Sequence, residues 1–370
     1  LAINPAVLAA NTDSCTENCT HAAAIGTTHY DTLQEAISAA SGDVTIVLLR
    51  NVTEAVTIAS EKTITLDLAG FTLKNNETAQ AETDSGTKNH TITNNGTLTI
   101  IDSSNDGTGT VDNVSHGRAA LYNCAGATCT ILSGTIARNQ DAGTETPYSN
   151  GGNSWYTIRN YGTMIFGAES GNDNNKIKVY NSGGYSSLLE NGWFSSDSVE
   201  HPEDSKAIMT IYGGTFTGGL NNLKNDYYGE MVVYDGTFTN NYQCAVFSYN
   251  DMTIHGGTFV ADYQSSYTVT IYIQAPESSA TGGASGDMTI TGGNFTGLSD
   301  RAIIQKNSSS DGDVKVTGGT FSLDTADDAL HSNGDISISG GTYTIATGDD
   351  GIHADNAVTI TDCDLTIADS

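Results

Sequence analysis

The chain has 370 residues, 41 of them glycine and only 4 proline, with 43 acidic against 14 basic residues and a formal net charge of −29. Such a surface repels phosphate backbones and anionic membranes, which excludes nucleic-acid binding as a leading reading, and it attracts cations. No run approaches the ~18–20 apolar residues of a membrane span, so membrane insertion is not expected.

Residues 1–27 read as a lead-in. LAINPAVLAANTD is either the tail of a signal peptide, with Val7 and Ala9 as small residues before a cut, or a plain lead-in. Six cysteines suit an extracellular chain that is not built on disulfides. Cys15 and Cys19 are close enough for a local bridge, as are Cys124 and Cys129; Cys244 and Cys363 fall in strand patterns and read as free, buried and inert. Cys15, Cys19, His21 and His29 offer zinc-like chemistry, but their loose spacing favours a disulfide or disorder.

The segment 31–41 predicts one helix, capped by Asp31 with Gln34 in the reciprocal position and stopped by Gly42. Leu33, Ala36, Ile37 and Ala40 form its apolar face, as expected of a helix covering the open end of a solenoid core. Strand-like runs follow at 44–49, 55–60 and 63–73.

A repeat then dominates the chain. Residues 327–348 align without a gap on 349–370, a unit of 22 residues, which is the size of one coil of a parallel β-solenoid. Strand-and-turn steps of the form GGTF end at Phe216, Phe238, Phe259, Phe295, Phe321 and Tyr343, and the irregular spacings coincide with insertions before Phe295 and Phe321. Further insertions lie around 138–154 and 193–206. An apolar–x–polar step recurs at Ile92–Asn94, Leu121–Asn123, Ile158–Asn160, Val246–Ser248 and Leu330–Ser332. Alternation sends both ends of each step inward, so these Asn and Ser side chains are core ladders and not ligands. The residues between them, Arg159, Phe247, His331 and His353, point outward.

Asp327/Asp328 and Asp349/Asp350 stack on successive coils about 4.8 Å apart. With Asp355 nearby they can hold Ca²⁺, which takes six to eight oxygens; the alternative is that Asp favours tight corners as an Asx turn. His331 and His353 stack likewise, either to bind a metal or sugar hydroxyls or merely as exposed residues copied by duplication. Trp155, Tyr156, Trp193, Phe247 and Tyr249 lie in or beside insertions and outward positions, where exposed rings form a platform for sugar faces. Tyr185, Tyr227, Tyr228, Tyr267 and Tyr272 belong to the same group. Base candidates for a lyase are Arg159, Lys224, Arg301 and Lys306, but none sits in a distinctive motif and no nucleophile–base signature occurs. No catalytic residue is assigned.

The stretch GGTYTIATGDDGIHADNAVTI resembles the signature of calcium-dependent carbohydrate-binding β-helix domains of clostridial surface and cellulosome-associated proteins, fold relatives of family 9 polysaccharide lyases. The resemblance covers about residues 317–370, with GDDGIHAD at Gly348–Asp355. Upstream, HYDTLQEAISAASGDVTIVLLRNVTEAVTI and TITLDLAGFTL resemble the opening cap and coils of Gram-positive surface β-helices, which speaks to architecture only. The resemblance implies a right-handed parallel β-helix, Ca²⁺ at Asp-rich corners and binding of plant-type polysaccharide. In that family the DDGIH turns continue for further coils, so the chain is expected to be truncated after Ser370.

The expectation is therefore all-β: one right-handed parallel β-helix over residues 28–370 with an N-terminal capping helix, about a dozen coils, and a monomer. It binds plant-type or acidic polysaccharide as a secreted or cell-surface bacterial protein, stabilised by Ca²⁺. A uronate lyase and a structural adhesin or stalk are the alternatives.

Overall fold

The computed structural model describes residues 20–75, 89–113, 118–138, 156–170, 173–181, 187–193, 205–261, 269–277, 282–297, 303–307, 309–310, 312–325, 328–332 and 334–369. Their strands form three long sheets of 14, 12 and 11 members, ordered by chain position except at the opening hairpin of the first. One coil contributes a strand to each sheet in turn, as Met252–Ile254, Thr258–Ala261 and Val269–Ile273 do for the first, second and third sheets. Among the described residues every strand pairing between coils is parallel; the opening hairpin Ala23–Ile25/Thr28–Tyr30, its junction with Asp43–Leu48 and the isolated bridge Trp193–Tyr227 are antiparallel. The architecture is the expected parallel β-helix.

The expected helix is present but shorter, Leu33–Ala39. Its cap is Thr32 and not Asp31, and the reciprocal bond comes from Glu35 and not Gln34. A second carboxylate decides this register: Glu54, from the first coil, accepts from the amides of Leu33 and Gln34 at 3.1 and 3.2 Å. An acid at a helix N-terminus is favourable. Leu33, Ala36, Ile37 and Ala40 are buried against the first coils, so the helix does close that end of the core.

Two ladders fix the stacking. In the third sheet, Asn94, Asn123, Asn160, Asn191 and Asn225 point inward, and each amide donates from Nδ2 to Oδ1 of the next at 2.7–3.0 Å. Asn225 donates onward to Ser248 Oγ at 3.4 Å. In the second sheet, Phe216, Phe238, Phe259, Phe295, Phe321 and Tyr343 stack as buried, near-parallel rings with centroids 4.6–5.0 Å apart. That spacing is the distance between paired strands, so the rings follow the backbone.

The glycine pairs before these rings have a steric cause. A Cβ on Gly256 would lie 2.4 Å from the Tyr234 carbonyl oxygen of the coil before; Gly257 adopts φ +106°, and a Cβ there would lie 3.3 Å from the Phe259 ring. Close approach of two backbones and a left-handed bend both call for glycine here.

Three cysteine expectations need correction or limits. Cys124 and Cys129 are both free, because Cys129 points into the core of its strand while Cys124 stands in the preceding turn. Cys244 is free and buried as expected, but Cys363 is only half-buried, in the turn before Asp364–Asp369. Cys15 and Cys19 lie outside the described residues.

Asn160 donates to Asn191, Gly162 and Ile208 and accepts from Asn123 and the Gly162 amide. Asn160→Ala strands several of these groups, each costing ~1–3 kcal/mol when buried. A loss of about 3 kcal/mol in chemical unfolding is expected, against less than about 0.5 kcal/mol for the exposed Lys178→Ala.

Candidate functional site

Because inward and outward residues alternate, the ladder on the inside of the third sheet defines a row on its outside. In register this row runs Tyr122, Arg159, Glu190, Lys224, Phe247, Tyr272, Gln305, His331 and His353. Arg159, Phe247, His331 and His353 were legible as outward positions. Glu190 and Lys224 stand on the same row although Leu189–Asn191 and Leu223–Asn225 were not read as ladder steps; the same apolar–x–Asn pattern was the signal available.

The first part of the row is covered. Arg159 Nε meets Glu190 Oε2 at 2.5 Å, with both side chains almost wholly buried. Lys224 Nζ meets Asp226 Oδ2 at 2.6 Å and donates to Tyr156 Oη at 3.3 Å. The Arg159 guanidinium lies 4.6 Å from the Tyr161 ring centre. Burial, aided by the Asp226 charge, pushes Glu190 above the ordinary carboxylate range, against the pull of Arg159 and Lys224. His90, stacked on Tyr122 at 4.3 Å, is driven down to about 3 by burial and by Arg118 and Arg159, so it is neutral here.

Several rings expected at the surface are not there. Trp193, Tyr156 and Tyr249 are only 2%, 6% and 6% exposed. Trp193 and Tyr249 pack with Tyr161, Tyr227 and Tyr228 into a second apolar cluster on the outside of the helix, with Phe247 partly buried against it. The insertion after Ile273 explains this. Its Glu277 amide donates to Tyr227 Oη at 2.8 Å, and the Glu277 carboxylate accepts from Tyr249 Oη at 3.2 Å. Gly283 O accepts from the Tyr228 amide at 2.8 Å, and a Cβ on Gly283 would lie 2.6 Å from the Tyr228 ring. Trp155, Tyr185 and Tyr267 lie outside the described residues, and so does Arg301.

The second part of the row is open. Phe247, Tyr272, Gln305, His331 and His353 are all half-buried. Phe247 and Tyr272 lie 5.4 Å apart, and Asn307 Nδ2 joins Tyr272 Oη and Gln274 Oε1 at 3.3 and 2.6 Å.

At its C-terminal end the row meets the acidic corner. Asp328 is buried, and its Oδ2 accepts from His331 Nδ1 at 2.6 Å and from His353 Nδ1 at 2.8 Å. Its Oδ1 accepts from the Asp350 amide at 3.2 Å. Burial raises Asp328, but these three bonds outweigh it and hold the carboxyl below its usual range; the bond to Asp328 holds His353 above the usual imidazole range. Carboxylate oxygens of Asp328, Asp349 and Asp350 fall within 4.8 Å of one another, a group that could hold a metal ion. Asp327 lies outside the described residues, and Asp355 is not part of this group: it faces the other side of His353, with Oδ1 3.7 Å from Nε2. The three carboxylates together carry six oxygens, while two imidazole nitrogens already point at the buried one.

Residues 188–351 match a family model described as carbohydrate-binding domain-containing protein, which supports carbohydrate binding. The matched stretch takes in the row from Glu190 to His331 and the three clustered carboxylates. No curated protein and no solved structure matches the chain. No helix among the described residues is long and apolar enough to cross a membrane.

Removing one partner of a buried ion pair leaves an uncompensated charge, at a cost of about 3–5 kcal/mol. Glu190→Ala is therefore expected to lower stability by that order. Arg159→Met combined with Glu190→Leu should recover most of it in a double-mutant cycle of urea unfolding.

Proposed function

We propose that the protein binds an extended polysaccharide along the open half of the third sheet's outer row, as a secreted or cell-surface carbohydrate-binding module. The observation that carries this is the in-register run Phe247, Tyr272, Gln305 and His331, half-buried and lying within the stretch that matches the carbohydrate-binding family. Aromatic rings offer apolar faces to sugar C–H groups, while the amide and imidazole offer hydrogen bonds to hydroxyls. Each coil presents one such side chain every ~4.8 Å, so a chain laid along the axis meets a new contact at each step.

The charge favours a neutral glycan. At a net charge of −29 a uronate polymer is repelled unless cations bridge it. Binding is also better supported than lyase chemistry. Of the base candidates, Arg159 and Lys224 are covered and paired with Glu190 and Asp226, which holds them away from a substrate.

On a glycan array the protein should retain neutral, plant-type polysaccharides. In calorimetry, Phe247→Ala and Tyr272→Ala should each weaken binding about tenfold, ~1.4 kcal/mol. Tyr234→Ala, at an exposed ring in the turn after the first sheet, should leave affinity unchanged. An array empty of polysaccharide signals, or equal affinity for all three variants and the parent, would overturn the assignment.

A further inference from the structure

The last two coils cross-link their repeated residues. His331 and His353 occupy paired positions on adjacent third-sheet strands, and both Nδ1 atoms converge on Asp328 Oδ2. Asp350 Oδ2 stands 3.8 Å from His353 Nδ1, on the solvent side. We propose that Asp328, His331 and His353, completed by Asp350, form a binding site for a borderline divalent cation of the Zn²⁺ class.

Three features support nitrogen-and-oxygen ligation over a hard-cation site. The first is the donor set: two imidazoles and carboxylates suit Zn²⁺, whereas Ca²⁺ takes oxygen alone. The second is spacing. Ligands at ~2.0–2.1 Å around a tetrahedral ion lie roughly 3.3 Å from one another, and the donor separations of 2.6, 2.8 and 3.8 Å bracket that value. The third is the outer support. A metal-bound imidazole commonly donates its other N–H to a carboxylate, and Asp355 Oδ1 lies 3.7 Å from His353 Nε2.

The exchange balances simply. Each ring first gives up the Nδ1 proton it shares with Asp328, to solvent from a charged ring or by exchange to Nε2 in a neutral one. The cation then takes both Nδ1 lone pairs, and Asp328 replaces two accepted hydrogen bonds with one metal bond. The backbone ladder holds both histidines in place, and the Asp350 amide holds the Asp328 carboxylate.

Titration of Zn²⁺, and separately Ca²⁺, into the chelator-stripped protein tests this. One equivalent of Zn²⁺ should bind at micromolar dissociation constant or tighter. His331→Gln/His353→Gln should lose that equivalent or weaken it at least a hundredfold. The single variant His353→Gln provides the same reading should the double variant unfold. His255→Gln, on another face, should leave it intact. Co²⁺ in the same site should show the intense visible absorption of a four-coordinate N/O centre. Unchanged Zn²⁺ affinity in the histidine variants, or displacement of Zn²⁺ by an equal concentration of Ca²⁺, would overturn the proposal.

Discussion

The register of the coils depends on a line of buried amides. From Asn94 to Asn225 each side chain donates to the next and also satisfies backbone carbonyls of its own turn and of the next coil. A slip of one residue in any third-sheet strand would turn its amide out and an outer-row side chain in, leaving buried donors unmade on both sides. The amide line thus selects one register. The phenyl stack of the second sheet repeats that selection through shape, since each ring occupies the width of one coil.

An inside held this firmly also sets the outside. The outer row of the third sheet is as regular as the amides beneath it, and only the side-chain chemistry changes along it. Where Arg159, Glu190 and Lys224 succeed one another, charges of alternating sign lie on neighbouring strands and compensate each other, as opposite-charge cross-strand pairs do. Those coils are then covered by tyrosines and by the insertion that follows Ile273. From Phe247 onward the row carries rings and an amide, which need no counter-charge, and then two imidazoles that share the Asp328 carboxylate; all of these side chains are half-buried. The helix therefore spends one half of this face on a second core and leaves the other half for a ligand.

The fold was legible because the 22-residue unit and the GGTF steps repeat visibly, and because the Asn step names its own inward side. The helix cap shifted by one residue, from Asp31 to Thr32. Both can cap, and the choice was made by Glu54 reaching across from the next coil, a contact no local pattern contains. Exposure of the aromatic residues was not legible for a similar reason. Tyr249 and Trp193 sit at outward positions, yet whether an outward ring meets water depends on where an insertion folds back. Glu190 and Asp226 escaped notice because pairing appears only after distant insertions are removed and the coils are aligned.

The acidic corner shows what duplication can and cannot build. Copying one coil stacks Asp on Asp and His on His, and in that reading each layer is self-contained. The structure instead gives one carboxylate to two imidazoles: Asp328 takes His331 from its own coil and His353 from the next. The shared use is possible because Asp328 is buried at the corner, within reach of both layers. A site that needs different groups to converge can arise at such a junction, where two copies meet, without any change within the repeat.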